Sequence, residues 1–381
     1  MYILVLTRDV WERYEVTSAN STKHSDAVDA KILFASRDDL KATDQQSLQR
    51  VFEVFQIPMF LHSRPFSELN GFFGGRTSSG MENELRNENY WCRFVIKQTG
   101  SSLRLNPSFV RHDAPSPSSA AQTATQNFMP LHGKTTENYG WEWYEMLFVV
   151  TRGSDSRLTI ACFDVPKDLQ LAIHSDLLQL ARDKRKLMLQ DPHAAMAVIL
   201  HQIIVAYDRS VWAIRDHICE WEAARPAKTD YTLLHEISRH AIHVSETLEV
   251  AARSCRALLK QRNDSSLRPA NLKPIEWTET SDSLHLVAQV VENLWSRSEA
   301  NKARVQNELA LAFHLAAQRD SRIQLHMSEN MEREAVAMKN LTIVALAFLP
   351  ITLVSVFAAL PSYYSCFSIN ARYSHNPSFL V

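Results

Sequence analysis

The apolar positions of the second half of the chain recur at helical spacing. Met196, Ile199, Ile203, Ala206, Ile214 and Ile218 follow Asp191-Pro192 in this way, and residues three or four apart share one helix face. Asp191 suits the cap and Pro192 the first helical position, and the segment is predicted to stop before Pro226. A second helix is predicted from about Thr232 to Arg262, with Leu234, Ile237, Ala241, Val244, Leu248, Ala251, Cys255 and Leu258 along one face. A third follows Pro274, with Thr280 and Ser281 as cap candidates. Leu284, Val287, Val291, Leu294, Val305, Ala312 and Leu315 keep its apolar stripe, with polar gaps at Ser298 and Asn301. No proline or glycine interrupts this segment before Pro350. It is therefore predicted to run into LTIVALAFLPITLVSVFAAL, Leu341 to Leu360, as one helix of about 80 residues and roughly 120 Å.

The pattern is different nearer the N-terminus. CRFVIKQ (Cys92 to Gln98), EMLFVVTR (Glu145 to Arg152) and RLTIACFDV (Arg157 to Val165) are short runs of β-branched and aromatic residues bounded by turn formers, and they read as strands. Leu48 to Phe55 reads as a short helix, and APSPSSAAQTATQ (Ala114 to Gln126) as a loop or linker. All eight glycines lie at or before Gly153, so the following 228 residues have none. Glycine weakens helices, so this asymmetry marks the passage from a mixed domain to long helices. The fold class expected is an α/β N-terminal cytosolic domain, long antiparallel helices forming a stalk, and one C-terminal transmembrane helix. The corresponding boundaries are 1–165, 166–340, 341–360 and a short polar tail, 361–381.

A bilayer core of about 30 Å needs about 20 apolar residues in helix. Leu341 to Leu360 carries no charge, and twelve of its twenty residues are Leu, Ile, Val or Phe. Thr342, Thr352 and Ser355 can return their hydroxyls to the backbone, and a mid-span Pro350 is tolerated in a membrane. Arg319, Arg322, Arg333 and Lys339 precede the stretch and only Arg372 follows it, which orients the N-terminal part toward the cytosol or matrix.

Composition narrows the function further. The 381 residues carry a net charge of −1, so no basic surface asks for nucleic acid. A slightly negative mean hydropathy excludes a many-span protein. Five scattered cysteines without a C-x-x-C pair point to a reducing compartment rather than a disulfide or zinc framework. GFFGGRTSSG lacks the Gly-Lys-Ser/Thr of a phosphate loop and reads as a flexible turn. In HEISRH the second histidine of the pair His235 and His240 falls at i+5, so a zinc-protease helix is not supported. His240 and His243 read as a solvated face, and Trp141 and Trp143 as core residues flanking a strand. No nucleophile–base constellation supports an enzyme.

Particular residues carry a resemblance. CFDVP (Cys162 to Pro166), AQRDS (Ala317 to Ser321) and MKNLTIVALAFLPIT (Met338 to Thr352) resemble the fungal branch of the CorA-like magnesium and divalent-cation transporter family. FQIPMFL (Phe55 to Leu61), NYWCRFVI and the Trp-rich Tyr139 to Trp143 resemble that group's N-terminal domain. The likeness covers roughly residues 50 to 360, and the Met-Lys…Phe-Leu-Pro-x-Thr block is its more specific part.

The resemblance implies a homo-pentamer in membrane lipid, with each long helix continuing into a pore-lining span and Mg2+ as the transported and regulatory ion. No other cofactor and no nucleic acid is implied. The pore positions carried over are Met338, Leu341, Leu349 and Thr352. At 100° per residue they form one stripe about 80° wide, with Ala345 inside it and Thr342 at its edge. An all-apolar helix offers other stripes too, so the spacing permits a pore face without requiring one.

The family's Gly-Met-Asn signature, whose neutral oxygens would meet a hydrated ion, falls here on Ala359, Leu360 and Pro361. The tail from Pro361 to Val381 is too short and polar for a second span. A family subunit truncated after its first span is therefore expected. The alternatives are a single-span coiled-coil scaffold or accessory subunit without transport activity, and a soluble helical interaction protein.

Overall fold

The computed structural model describes residues 2–7, 10–15, 28–43, 45–78, 87–99, 141–153, 157–224, 231–264, 268 and 272–372, the side chains at 7, 10, 11, 15, 41, 62, 64, 65, 224 and 360–372 excepted. The chain divides into two units, Met1–Ala310 and Leu311–Val381. The first contains a mixed sheet of β1 (Tyr2–Thr7), β2 (Val10–Glu15), β3 (Val28–Ala35), β4 (Gly71–Ser78), β5 (Asn87–Thr99), β6 (Trp141–Arg152) and β7 (Leu158–Phe163). Its spatial order is β2-β1-β3-β7-β6-β5-β4. Every described pairing is antiparallel except β3 with β7, which run parallel.

The short helices α1 (Arg37–Ala42), α2 (Gln45–Val54) and α3 (Arg64–Glu68), with a 3-10 turn at Met59–His62, follow β3 in the chain. Ser36 caps α1, and its hydroxyl accepts the Asp39 N–H while the Asp39 carboxylate accepts the Ser36 N–H, a reciprocal capping box. Val51, Phe52, Phe55, Ile57 and Leu61 pack from this segment onto Leu33, Val149, Ala161 and Phe163 of the sheet.

Long helices complete the unit: α4 (Lys167–Asp183), α5 (Arg185–Gln190), α6 (Pro192–Ala224), α7 (Tyr231–Arg262) and the beginning of α8 (Pro274–Arg372). Tyr207 of α6 donates its hydroxyl to the Val95 carbonyl at 3.0 Å, and Gln98 donates its amide to the Ala206 carbonyl at 2.7 Å. The apolar series expected on α7 is buried from Leu234 to Leu258. Along α8 the stripe is buried at Leu284, Val287, Val291, Leu294, Val305 and Ala312, whereas Leu315 is exposed.

Several expectations need correction. GFFGG is not a turn: Gly71–Ser78 is β4, paired antiparallel with β5. A Cβ on Gly74 would sit 2.4 Å from the Trp91 indole nitrogen. Glycine therefore serves to let that ring lie across the strand. Trp141 and Trp143 lie within β6 rather than beside it. Helix α8 starts at Pro274, so Thr280 and Ser281 are not caps. Their hydroxyls donate to the Glu276 and Trp277 carbonyls one turn back. The Lys273 N–H is accepted by the Glu276 carboxylate, which is what begins the helix early. The residues Ala114 to Gln126 lie outside the described residues.

The meeting point of α6, α7 and α8 is ionic. Arg262 is fully buried and its Nη1 lies 2.8 Å from Asp191 Oδ1. Its other nitrogens reach Ser281 Oγ at 3.1 Å and the Trp277 carbonyl at 2.9 Å, and its guanidinium lies 3.2 Å from the centre of the Trp277 ring. Asp191 also accepts the His193 N–H at 3.1 Å, capping α6. Burial alone would raise the Asp191 carboxyl. The hydrogen bonding to His193 and the Arg262 charge outweigh it and hold it below the usual carboxylate value.

Removing one partner of such a pair leaves the other buried and unpaired. Asp191→Ala is expected to destabilise the first unit by about 3–5 kcal/mol, read by chemical denaturation. The lowered Asp191 value also means that its contribution is complete above the ordinary carboxylate range. It is lost as pH falls through the folded value, so the wild type should lose more stability on acidification than Asp191→Ala does. Gly74→Ala should cost about 1–3 kcal/mol in the same measurement, because Trp91 must move.

Candidate membrane span and pore face

Two described helices are long and apolar enough to cross a membrane, Pro192–Ala223 and Pro274–Ala359. The apolar window of the first is 61% buried, as befits a core helix, while that of the second is 0% buried. Leu341, Leu346, Leu349, Leu353 and Phe357 are all exposed, Leu346 at 74%. Such a continuous apolar surface on every side of a helix is unfavourable in water and suits hydrocarbon.

The positions Met338, Leu341, Thr342, Ala345, Leu349 and Thr352 all lie on α8 and are all exposed. Thr342 donates to the Met338 carbonyl at 2.7 Å, and Ser355 to the Ile351 carbonyl at 2.8 Å. Thr352 is within reach of the Phe348 and Leu349 carbonyls, at 3.1 and 3.0 Å. Each hydroxyl proton thus stays within the helix, and each hydroxyl oxygen keeps accepting capacity. Pro350 leaves the Leu346 carbonyl without its usual N–H donor. Ala359 is exposed on the same helix, and the side chains of Leu360 and Pro361 lie outside the described residues.

Helix α7 carries a charged cluster that the sequence reading missed. His240 is fully buried and His243 half-buried, not a solvated face. Lys97 Nζ lies 2.9 Å from His243 Nδ1 and 4.3 and 4.8 Å from the centres of the Trp141 and Trp143 rings. Burial, helped by the Arg239 charge, brings Lys97 down to about 8. Burial, then the Lys97 charge, lowers His243. Spacing along α7 could not reveal this, because the lysine and tryptophans come from β5 and β6. Among the described residues no group of three or more His, Cys, Asp or Glu side chains is arranged to hold a metal ion.

No protein-family model matches the chain. It is 27% identical over 248 residues to the "Notoamide biosynthesis cluster protein M'" of Aspergillus versicolor, covering 58% of this chain and 51% of that one. The chain thus spans about half the length of this curated relative. Among solved structures it is similar to the full-length CmaX protein, at 13% identity and a TM-score of 0.49, over 93% of this chain and 84% of that one. The CorA magnesium transporter of Methanocaldococcus jannaschii is similar at 12% identity and 0.46, over 100% and 88%. The ZntB cytoplasmic domain of Vibrio parahaemolyticus is similar at 8% identity and 0.39, over 81% and 97%. At these scores the likenesses establish no family.

The wholly exposed apolar helix should keep the protein in the membrane pellet after carbonate extraction. Leu349→Arg places a charge at mid-span and should disfavour insertion by about 2.5–3.5 kcal/mol, read in a glycosylation-insertion assay. Lys97 gives a separate pH signature. Between about pH 8 and the ordinary lysine value of 10.5 the unfolded chain binds a proton that the folded chain lacks. Stability therefore rises with pH across that window. The denaturation difference between wild type and Lys97→Met should follow that rise and be flat below it.

Proposed function

We propose that this chain is a subunit of a membrane conductance for divalent cations, with Mg2+ as its substrate. The observation that carries the reading is the exposed apolar helix Leu341–Leu360 with Thr342 and Thr352 on one stripe beside Met338, Leu341, Ala345 and Leu349. The Met338 to Thr352 block that resembles the CorA-like family supports it.

Mg2+ holds its water tightly, so a conducting face need only offer neutral acceptors to the water shell. Thr342 and Thr352 would do this through hydroxyl oxygens whose protons are already engaged with the backbone. Met338 and Leu341 would form an apolar constriction that conducts when wetted. Several copies must surround such a path, and we take the number to be five. The exposed Phe313, Ile323, Leu325, Met327, Met331 and Val336 of the second unit favour self-association. The α/β domain would face the cytosol or matrix, and the membrane potential would drive entry. A scaffold role without transport is the second reading, favoured by Ala359-Leu360-Pro361, which offers no side-chain oxygen to an ion.

Growth of a Mg2+-uptake-deficient strain tests the proposal. A chimera with Gly-Met-Asn in place of Ala359-Leu360-Pro361, followed by a second apolar span, should restore growth at low Mg2+, and the chain bearing Ala359-Leu360-Pro361 should do so poorly. Thr352→Val in the chimera should lower uptake severalfold, while Val354→Ala, off the stripe, should not. A chimera that reaches the membrane as an oligomer yet conducts nothing would favour the scaffold.

A further inference from the structure

A cavity of about 550 Å³ opens in the first unit between the sheet and its short helices. It lies at the carboxyl ends of β3 and β7, the parallel neighbours of the sheet. There the chain leaves Ala35 into α1 and Phe163 into Asp164. Crevices of this kind are where open α/β sheets take ligands, and the volume suits a small organic molecule.

The walls are apolar, formed by Leu48, Phe52, Ile57, Leu61 and Phe66, and the charges gather at one place. Arg93 is nearly buried and committed: it donates to the Ser67 carbonyl at 2.9 Å, the Leu69 carbonyl at 2.8 Å and Glu145 Oε2 at 2.8 Å, with a longer contact of 3.4 Å to the Glu145 carbonyl. Arg37 is different, with a side chain 42% exposed. Its Nε meets Asp164 Oδ2 at 3.0 Å and its Nη2 meets Glu145 Oε2 at 3.0 Å and the Ser67 carbonyl at 3.4 Å. Its Nη1 has no partner among the described residues.

Both oxygens of Asp164 are engaged from the same side, since its Oδ1 accepts the Arg37 backbone N–H at 2.7 Å. Glu145 stands behind the two guanidiniums and is not part of the lining. Two arginines and one aspartate line the cavity, Glu145 behind them balances the second guanidinium, and the Arg37 Nη1 N–H groups are the charged donors left open toward the cavity. Asp164 also holds φ at 54°, a conformation unusual outside glycine, fixed by its N–H on the Ala35 carbonyl at 3.0 Å and its two bonds from Arg37. Backbone strain held in this way is concentrated at functional sites.

We propose that this cavity binds a small carboxylic acid with an apolar body. The body lies against Phe52, Ile57 and Phe66, and the carboxylate takes the open N–H groups of Arg37 Nη1, with Arg93 and Glu145 holding that guanidinium in place. The site is independent of ion conduction and of the number of copies in the assembly.

Calorimetry on the full chain in lipid nanodiscs tests it, with empty nanodiscs as the blank. The probes are 2-naphthylacetate, 2-naphthylethanol and 2-naphthylethylammonium. The acetate should saturate at one per chain, the alcohol should bind about tenfold more weakly, as loss of a charged hydrogen bond implies, and the ammonium should not saturate. Arg37→Gln should remove the advantage of the acetate over the alcohol, and Leu48→Trp, which fills the cavity, should abolish both. Acetate should also protect Arg37 of the wild type from phenylglyoxal, read by mass spectrometry. That readout decides the question if Leu48→Trp does not fold. Equal or tighter binding of the ammonium, no saturable acetate binding above the blank, an unchanged Arg37→Gln or an unprotected Arg37 would each overturn the proposal.

Discussion

The ion pair between Asp191 and Arg262 lies where α6 begins, α7 ends and α8 begins, and the arrangement of the long helices depends on it. Two buried charges are costly to desolvate, and close pairing with additional hydrogen bonds offsets that cost. Here Arg262 is fully engaged, stacking on Trp277 and bonding its carbonyl and the Ser281 hydroxyl, while Asp191 takes both Arg262 and the His193 N–H on Oδ1 and leaves its buried Oδ2 without a partner among the described residues. The sheet joins the same region, because Arg152 of β6 pairs with buried Glu88 of β5 at 3.3 Å and donates to the Gln190 carbonyl, just before Asp191, at 2.8 Å. Tyr90 of β5 packs against His193 with the rings tilted by 52° and 4.4 Å between their centres. A directional, unforgiving contact of this kind gives the helices one register where apolar packing alone would allow several.

The sheet has a seam of its own. β3 and β7 run parallel while every other described pairing is antiparallel, so the chain must depart from both at the same edge. Those two departures bring Arg37 and Asp164 together across 127 residues of sequence. The cavity beside them is a consequence of topology: α1, α2 and α3 cover the sheet face but leave the strand ends open.

Helix α8 changes environment along its length. Up to Ala312 its apolar stripe is buried, and even its polar interruptions are absorbed: Ser298 and Asn301 are buried, and Asn301 donates to the Val211 carbonyl at 3.2 Å. In the Leu311–Val381 unit the described side chains are almost all exposed, whether charged or apolar. The same backbone therefore passes from packed core to full exposure, and the side chains alone record the change.

Periodicity revealed the elements that depend on local pattern. The α6, α7 and α8 stripes, the cores of β5, β6 and β7 and the short α2 all follow from spacing and turn residues, and the uncharged run from Leu341 to Leu360 is apparent without coordinates. The inner strand β1 and the edge strand β4 were not legible. Gly74 looks like a turn former until Trp91 is seen lying over it, and a six-residue apolar start gives no period to read. The contact of Lys97 with His243, the pair of Asp191 with Arg262 and the cluster of Arg37, Glu145 and Asp164 were likewise closed to sequence reading. Their partners stand far apart in the chain, and whether a charge is solvated or buried depends on what folds over it. The sequence by itself determined where helix and apolar surface must be, because those obey short-range periods. Only the tertiary structure decided which polar groups meet, because desolvation and pairing are properties of the packed chain.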